Sequence, residues 1–257
     1  MKRDWWDREF RWLLTLGEST TAGGWSSCRE RCWAWQLARL INEFQRLPVQ
    51  LVNMGIGANV ISTQSPAYPH SGKPAASERL AAHVLGHRAN GHPVTPDLLV
   101  ISYGMNDARG GTLVELFCRE MTDLIRRVRE RTRPLIVLPG PYCMCDFALG
   151  APHWSHATLE VFHQYNGAIG DLAAGLDCLY VDLLASYGEA DWLVHSDGCH
   201  ANDLGHRLVA NKIFEVLASS CSGLARRTRE LEKEIEPWRD ESTLQERWLP
   251  GEAPREE

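Results

Sequence analysis

Short, continuous apolar runs alternate along this chain with segments of helical periodicity, and that alternation narrows the choice of fold more than any other feature. Asp97–Tyr103 (DLLVISY) and Pro134–Leu138 (PLIVL) are apolar on both alternating faces. A strand of that kind must be covered on both sides, as interior strands of parallel sheets are. Arg11–Gly17, Val49–Met54 and Cys178–Leu183 read as three further strands. Between the strands, Glu30–Phe44 repeats Trp33, Leu37, Leu40, Ile41 and Phe44 at helical spacing. Ala75–Arg88, Thr112–Arg131 (with Thr112 as N-cap) and Leu159–Leu176 also read as helices, and Leu204–Ser220 as a final one. Residues 64–73 and 142–156 read as irregular loops. This order predicts a three-layer α/β/α sandwich, flavodoxin-like, with a mostly parallel five-stranded sheet.

A chain of 257 residues accommodates one such domain with an appendage. The domain is expected over 1–222. Over 223–257 a charged helical tail is expected to pack on it, with Leu224, Leu231 and Ile235 as a sparse stripe, a break at Pro237, and Trp238, Leu244, Trp248 and Leu249 as pins. An arm for homo-oligomerisation is the other reading of the same residues. The net charge of −6 has both signs interspersed, so no basic face stands ready for nucleic acid. No apolar run reaches membrane-spanning length, and Met1–Arg8 is too charged for a signal peptide, so a cytoplasmic location is expected. The eight cysteines form no zinc pattern and read as reduced thiols. Cys143, Cys145, His153 and His156 are the one metal set that spacing suggests, and neither metal nor cofactor is expected.

Open α/β sheets bind ligands outside the carboxyl ends of their strands. Three polar segments fall at such ends: Gly17-Glu18-Ser19-Thr20 after the first strand, Asn53-Met54-Gly55-Ile56-Gly57-Ala58 after the second, and Gly104-Met105-Asn106-Asp107 after the third. A fourth, Asp197-Gly198-Cys199-His200, precedes the last helix. Together they hold the parts of serine-dependent acyl transfer. A serine hydroxyl needs a base, and an imidazole needs a carboxylate to fix its tautomer. Asp197 lies within one turn of His200, although His195, His206 and Asp203 compete by spacing alone. Asn106 reads either as an Asx-turn or as an amide donor to an oxyanion, and Gly57 either as a turn residue or as a backbone donor. Gly17–Trp25 lacks the lysine of a phosphate-binding loop.

Taken in order, the four segments resemble the SGNH-hydrolase superfamily, the GDSL-type esterases and lipases, over roughly Leu13 to Ala218. The resemblance implies a Ser19–His200–Asp197 triad, with an oxyanion hole from the N–H groups of Ser19 and Gly57 and the Asn106 amide. Two departures stand out. The first block reads Gly-Glu-Ser rather than Gly-Asp-Ser, and ungapped alignment of the second puts Ala58 at the donor glycine, so Ala58 rivals Gly57. The implied activity is ester hydrolysis, and because no extended apolar loop is available to build a long acyl tunnel, short-chain or acetylated small molecules are the expected substrates. Lysophospholipase, thioesterase and a non-catalytic flavodoxin-like binding module are the alternatives. Topology nominates Trp25, Tyr68, Met105, Arg109, Tyr142 and Trp154 as pocket walls, with Tyr142 and Trp154 reading equally well as core.

Overall fold

A computed structural model describes residues 2–236. Five strands form one parallel sheet: β1 Trp12–Gly17, β2 Gln50–Gly55, β3 Leu98–Ser102, β4 Leu135–Pro139 and β5 Leu179–Val181. Their order is β2-β1-β3-β4-β5, the flavodoxin-like arrangement. The continuous apolar runs take the interior: β4 is buried throughout and β3 at all but its last residue, whereas edge strand β2 is largely half-exposed. Helices α1 Trp33–Phe44, α2 Val114–Arg131, α3 Leu159–Gly175 and α4 Asp203–Ser220 cover the sheet. α1 packs against α4, and α2 against α3, one pair on each face. Leu37 and Ile41 of α1, Phe117 and Ile125 of α2, Phe162 of α3 and Ile213 of α4 are among the side chains this buries. Each contributes roughly 1.5–3 kcal/mol by leaving water.

The register sets up the site. Gly17, at the end of β1, pairs with Gly55 of β2 and Ser102 of β3, so three carboxyl ends finish level. Local departures from the expected elements have plain causes. The helix expected to Arg88 runs over Ala76–Leu80, passes through a π-turn over Ala81–Leu85, and gives way to a small hairpin of Arg88–Ala89 with His92–Pro93. Asn90 and Gly91 both have positive φ, as a two-residue hairpin turn requires. Thr112 is not the N-cap of α2, a position that Leu113 takes. The Thr112 hydroxyl instead bonds Ser65 (2.6 Å) and Asp107 (3.3 Å). The loop expected over 64–73 holds one helical turn, Tyr68–Ser71.

In the segment expected to form an appendage, helix α5 Arg226–Glu234 lies against α1. Arg227 donates to the Gln45 carbonyl (3.3 Å) and Arg46 pairs with Glu230 (3.3 Å). The break at Pro237 and the pins at Trp238, Leu244, Trp248 and Leu249 lie outside the described residues. Among the described residues no helix is long and apolar enough to cross a membrane.

Candidate active site

The chain leaves β1 at Gly17 and turns at once into a helical turn, Ser19–Ala22. This turn is wedged between strand ends: a Cβ at Gly55 would lie 2.0 Å from the Ala22 nitrogen, so β2 must end in glycine. Ser19 opens the turn, where a backbone N–H has no intrahelical acceptor. Its hydroxyl lies 2.8 Å from His200 Nε2, although 181 residues separate the two.

His200 sits in a tight loop closed by a bridge between Val194 and Ala201 and by the His195 N–H on the His200 carbonyl (2.7 Å). Asn202 follows directly and caps α4, accepting from Leu204 and Gly205 N–H at 3.0 Å each. Inside the loop Asp197 Oδ1 accepts the N–H groups of Cys199 and His200, both at 3.0 Å. Asp197 Oδ2 accepts His200 Nδ1–H at 2.5 Å. The protonated Nδ1 leaves Nε2 as an acceptor for the serine proton. Burial lowers the His200 pKa, and the Asp197 carboxylate offsets that only in part, so the imidazole stays neutral below its ordinary range. Burial would raise Asp197, but the Cys199 N–H and the His200 bonds hold it below the usual carboxylate value.

The competing residues are occupied elsewhere. His206 is buried in α4, accepting from Trp33 N–H (3.3 Å) and donating to the Gly24 carbonyl (3.2 Å). Asp203 binds the Ser27 N–H and hydroxyl at 2.7 Å each, and His195 accepts the Asp197 N–H at 3.2 Å.

Asn106 stands in the short helix Met105–Arg109 that follows β3 and is buried. Its Nδ2 donates to the Asn59 carbonyl (3.2 Å) and its Oδ1 accepts from Arg109 (3.3 Å). An amide nitrogen carries two hydrogens, so one remains for a ligand. Gly57 approaches Ser19, since a Cβ there would lie 4.0 Å from Ser19 Cβ. Ala58 is exposed and adopts a φ of +53°.

Glu18, the departure in the first block, is buried and accepts the N–H groups of Gly104 (3.0 Å) and Asn106 (3.1 Å). Its carboxylate thus ties the serine turn to the Asn106 helix. Burial first, and then the charge of Asp107, push its pKa well above the ordinary value. Glu18→Ala would leave two buried N–H groups without acceptors, and is expected to cost about 2–5 kcal/mol of stability. Thermal unfolding checks this, and an unchanged Tm would refute it.

Sequence patterns pointed to neither Asn59 nor Arg79. Asn59 Oδ1 receives the Tyr103 hydroxyl (2.5 Å) and Arg79 (2.8 Å), and Arg79 also donates to the Met54 carbonyl. This buried set holds the Gly55–Asn59 segment beside Asn106. Arg79 also donates to His83 one turn on (3.2 Å), but its bonds to Asn59 and Met54 join segments 20 and 25 residues away, which no local pattern marks.

The suggested pocket residues are distributed unevenly. Trp25 stacks on His200, with ring centroids 3.4 Å apart. Arg109 also donates to the Leu149 carbonyl (2.9 Å). Met105 and Tyr142 line a small cavity of about 20 Å³ with Glu18, Thr20, Trp33 and His206, and Ser19, Asn106 and His200 are not part of its wall. The Tyr142 hydroxyl accepts from Ala201 N–H (2.8 Å), next to His200. Trp154 packs near Gly110, and Tyr68 donates to Glu78 (2.9 Å). His153 stacks on His70, and among the described residues no three His, Cys, Asp or Glu side chains gather as metal ligands. All eight cysteines are free.

Residues 15–208 match the model of the GDSL-like lipase/acylhydrolase family. A comparison with curated proteins gives no match. Among solved structures, a lipase/acylhydrolase from Enterococcus faecalis is similar with a TM-score of 0.60 and 19% identity, over 89% of this chain and 99% of that one. A catalytic mutant of an acetylxylan esterase from Geobacillus stearothermophilus gives 0.60 and 16%, over 80% and 94%. A carbohydrate acetylesterase family member from Sinorhizobium meliloti gives 0.60 and 18%, over 82% and 98%.

Proposed function

Because the chain belongs to the GDSL-like lipase/acylhydrolase family and is thereby an ester-bond hydrolase, we propose that it works through a Ser19–His200–Asp197 acyl-enzyme on short-chain or acetylated small-molecule esters. The observation that carries this reading is the unbroken chain from Ser19 Oγ to His200 Nε2 (2.8 Å) and from His200 Nδ1 to Asp197 Oδ2 (2.5 Å).

Ser19 Oγ attacks the ester carbonyl while His200 Nε2 takes its proton. Negative charge then develops on the carbonyl oxygen, facing the N–H groups of Ser19 and Gly57 and the free hydrogen of the Asn106 amide. His200 returns the proton to the leaving alcohol, the C–O bond breaks, and an acyl-serine remains. Water, deprotonated by His200, repeats the sequence and releases the acid. Each oxyanion donor contributes on the order of 3 kcal/mol in the transition state. Asn106→Ala is therefore expected to lower kcat by about 10²-fold or more with little change in KM. A loss confined to KM would remove Asn106 from this role.

The preference for short acyl groups rests on the sequence, which offers no extended apolar loop to wall a long acyl tunnel. Hydrolysis of p-nitrophenyl esters from acetate to palmitate tests it. Rates that fall with chain length are expected, and a maximum at long chains would replace this reading with a lysophospholipase or thioesterase. A fluorophosphonate probe tests the serine directly, since only an activated hydroxyl is labelled.

A further inference from the structure

Trp25 is held in an unusual way. Its φ is +66°, a left-handed conformation that a bulky side chain adopts only when its surroundings enforce it. The enforcement comes from both sides of the loop. Upstream, Gly24 N–H bonds the Ser19 carbonyl (2.9 Å), and His206 of α4 donates to the Gly24 carbonyl (3.2 Å). Downstream, Ser27 is clamped by Asp203 through its N–H and hydroxyl, both at 2.7 Å, and Arg31 pairs with the same carboxylate at 3.2 Å. The result is an indole lying flat on the His200 imidazole, with planes 8° apart and centroids at 3.4 Å. Half the tryptophan nevertheless remains exposed (46%), beside Ser26, His195, Asn202 and Leu204, so hiding its own surface from water does not account for its position.

We propose that Trp25 is a positioning residue for acyl transfer: its indole face fixes the imidazole of His200 and stabilises the imidazolium formed when Ser19 surrenders its proton. The proposal rests on His200 being the base for Ser19. In each half-reaction that ring gains a positive charge, and a cation against an indole face is attracted by the ring quadrupole. The flat stack also blocks rotation of the imidazole away from the line between Ser19 and Asp197. Asp197 favours the charged ring, whereas Arg109 and His195 oppose it. Of the other titratable groups packed against this loop, Asp203 is committed to Ser27 and Arg31, and His206 to Trp33 and Gly24.

Trp25→Leu keeps an apolar cover over His200 but removes the π face. The expected result is a fall in kcat of about 10-fold, with KM for p-nitrophenyl acetate within about twofold. The acid limb of the kcat/KM profile is expected to move to lower pH, because the imidazolium loses a stabilising partner while its shielding persists. Trp25→Phe, which restores a π face, is expected to stay within about threefold of wild-type kcat. An unchanged kcat in the leucine variant overturns the proposal. So does an acid limb that moves up towards the ordinary histidine value, the mark of lost cover alone, or a phenylalanine variant as slow as the leucine one. If the leucine variant does not fold, Trp25→Gly, which suits the positive φ, carries the kcat test with a fall of at least about 10-fold expected and an unchanged kcat again overturning the proposal. Fluorophosphonate labelling of the wild type separates the two levels. An unlabelled wild type overturns the acyl-transfer reading and this proposal together, and a labelled wild type confines any failure to Trp25.

Discussion

Ser19→Ala is expected to lower kcat for ester hydrolysis by about 10⁵-fold or more and to abolish fluorophosphonate labelling. The hydroxyl is the only group of this side chain that reaches His200, at 2.8 Å, and alanine leaves the imidazole nothing to deprotonate. What persists is the residual catalysis that binding and oxyanion donors supply without a nucleophile. The fold should tolerate the change. One hydrogen bond is lost, worth about 1 kcal/mol, and Gly17 and Gly55 still seat the turn. Steady-state kinetics on p-nitrophenyl acetate, beside a thermal melt, make the measurement. A folded variant that retains more than a hundredth of the wild-type kcat would exclude Ser19 as nucleophile.

Asp197→Asn is expected to cost about 10⁴-fold in kcat while leaving KM and the melting temperature little changed. The asparagine oxygen can still accept the Cys199 and His200 N–H groups that Asp197 Oδ1 accepts at 3.0 Å. Its amide nitrogen then faces His200 Nδ1 as a donor, where Asp197 Oδ2 now accepts at 2.5 Å. The imidazole is driven into the tautomer with its proton on Nε2, and it can no longer take the proton of Ser19. The imidazolium also loses its counter-charge. The two effects act on the same ring, so Ser19→Ala combined with Asp197→Asn should be hardly slower than Ser19→Ala alone. Multiplicative losses would show that Asp197 acts outside the serine's proton path.

The fold was legible because its strands announce themselves. DLLVISY and PLIVL could be satisfied only between two helical layers, and they became β3 and β4 of the interior. Boundaries were less so. Thr112 looks like a cap, but its hydroxyl is taken up by Asp107 and by Ser65, 47 residues away. The hairpin at Asn90-Gly91 carried a readable turn signal that the preceding helical periodicity masked.

The candidate site divides along the same line. Strand–helix alternation puts Ser19, Gly57 and Asn106 at one sheet edge for topological reasons alone, since every strand of a parallel sheet ends on the same side. The spacing of Asp197 and His200 places a carboxylate within one turn of an imidazole. Those relations are local or follow from connectivity, so the order of residues suffices to state them. Whether His200 faces Ser19, what Glu18 holds, why Asn59 and Arg79 matter, and that Trp25 lies on the imidazole are relations between segments 20 to 180 residues apart. They depend on how α1 and α4 pack and where their loops meet. Close packing admits few arrangements of those side chains, but which one it admits is decided only when the layers are assembled.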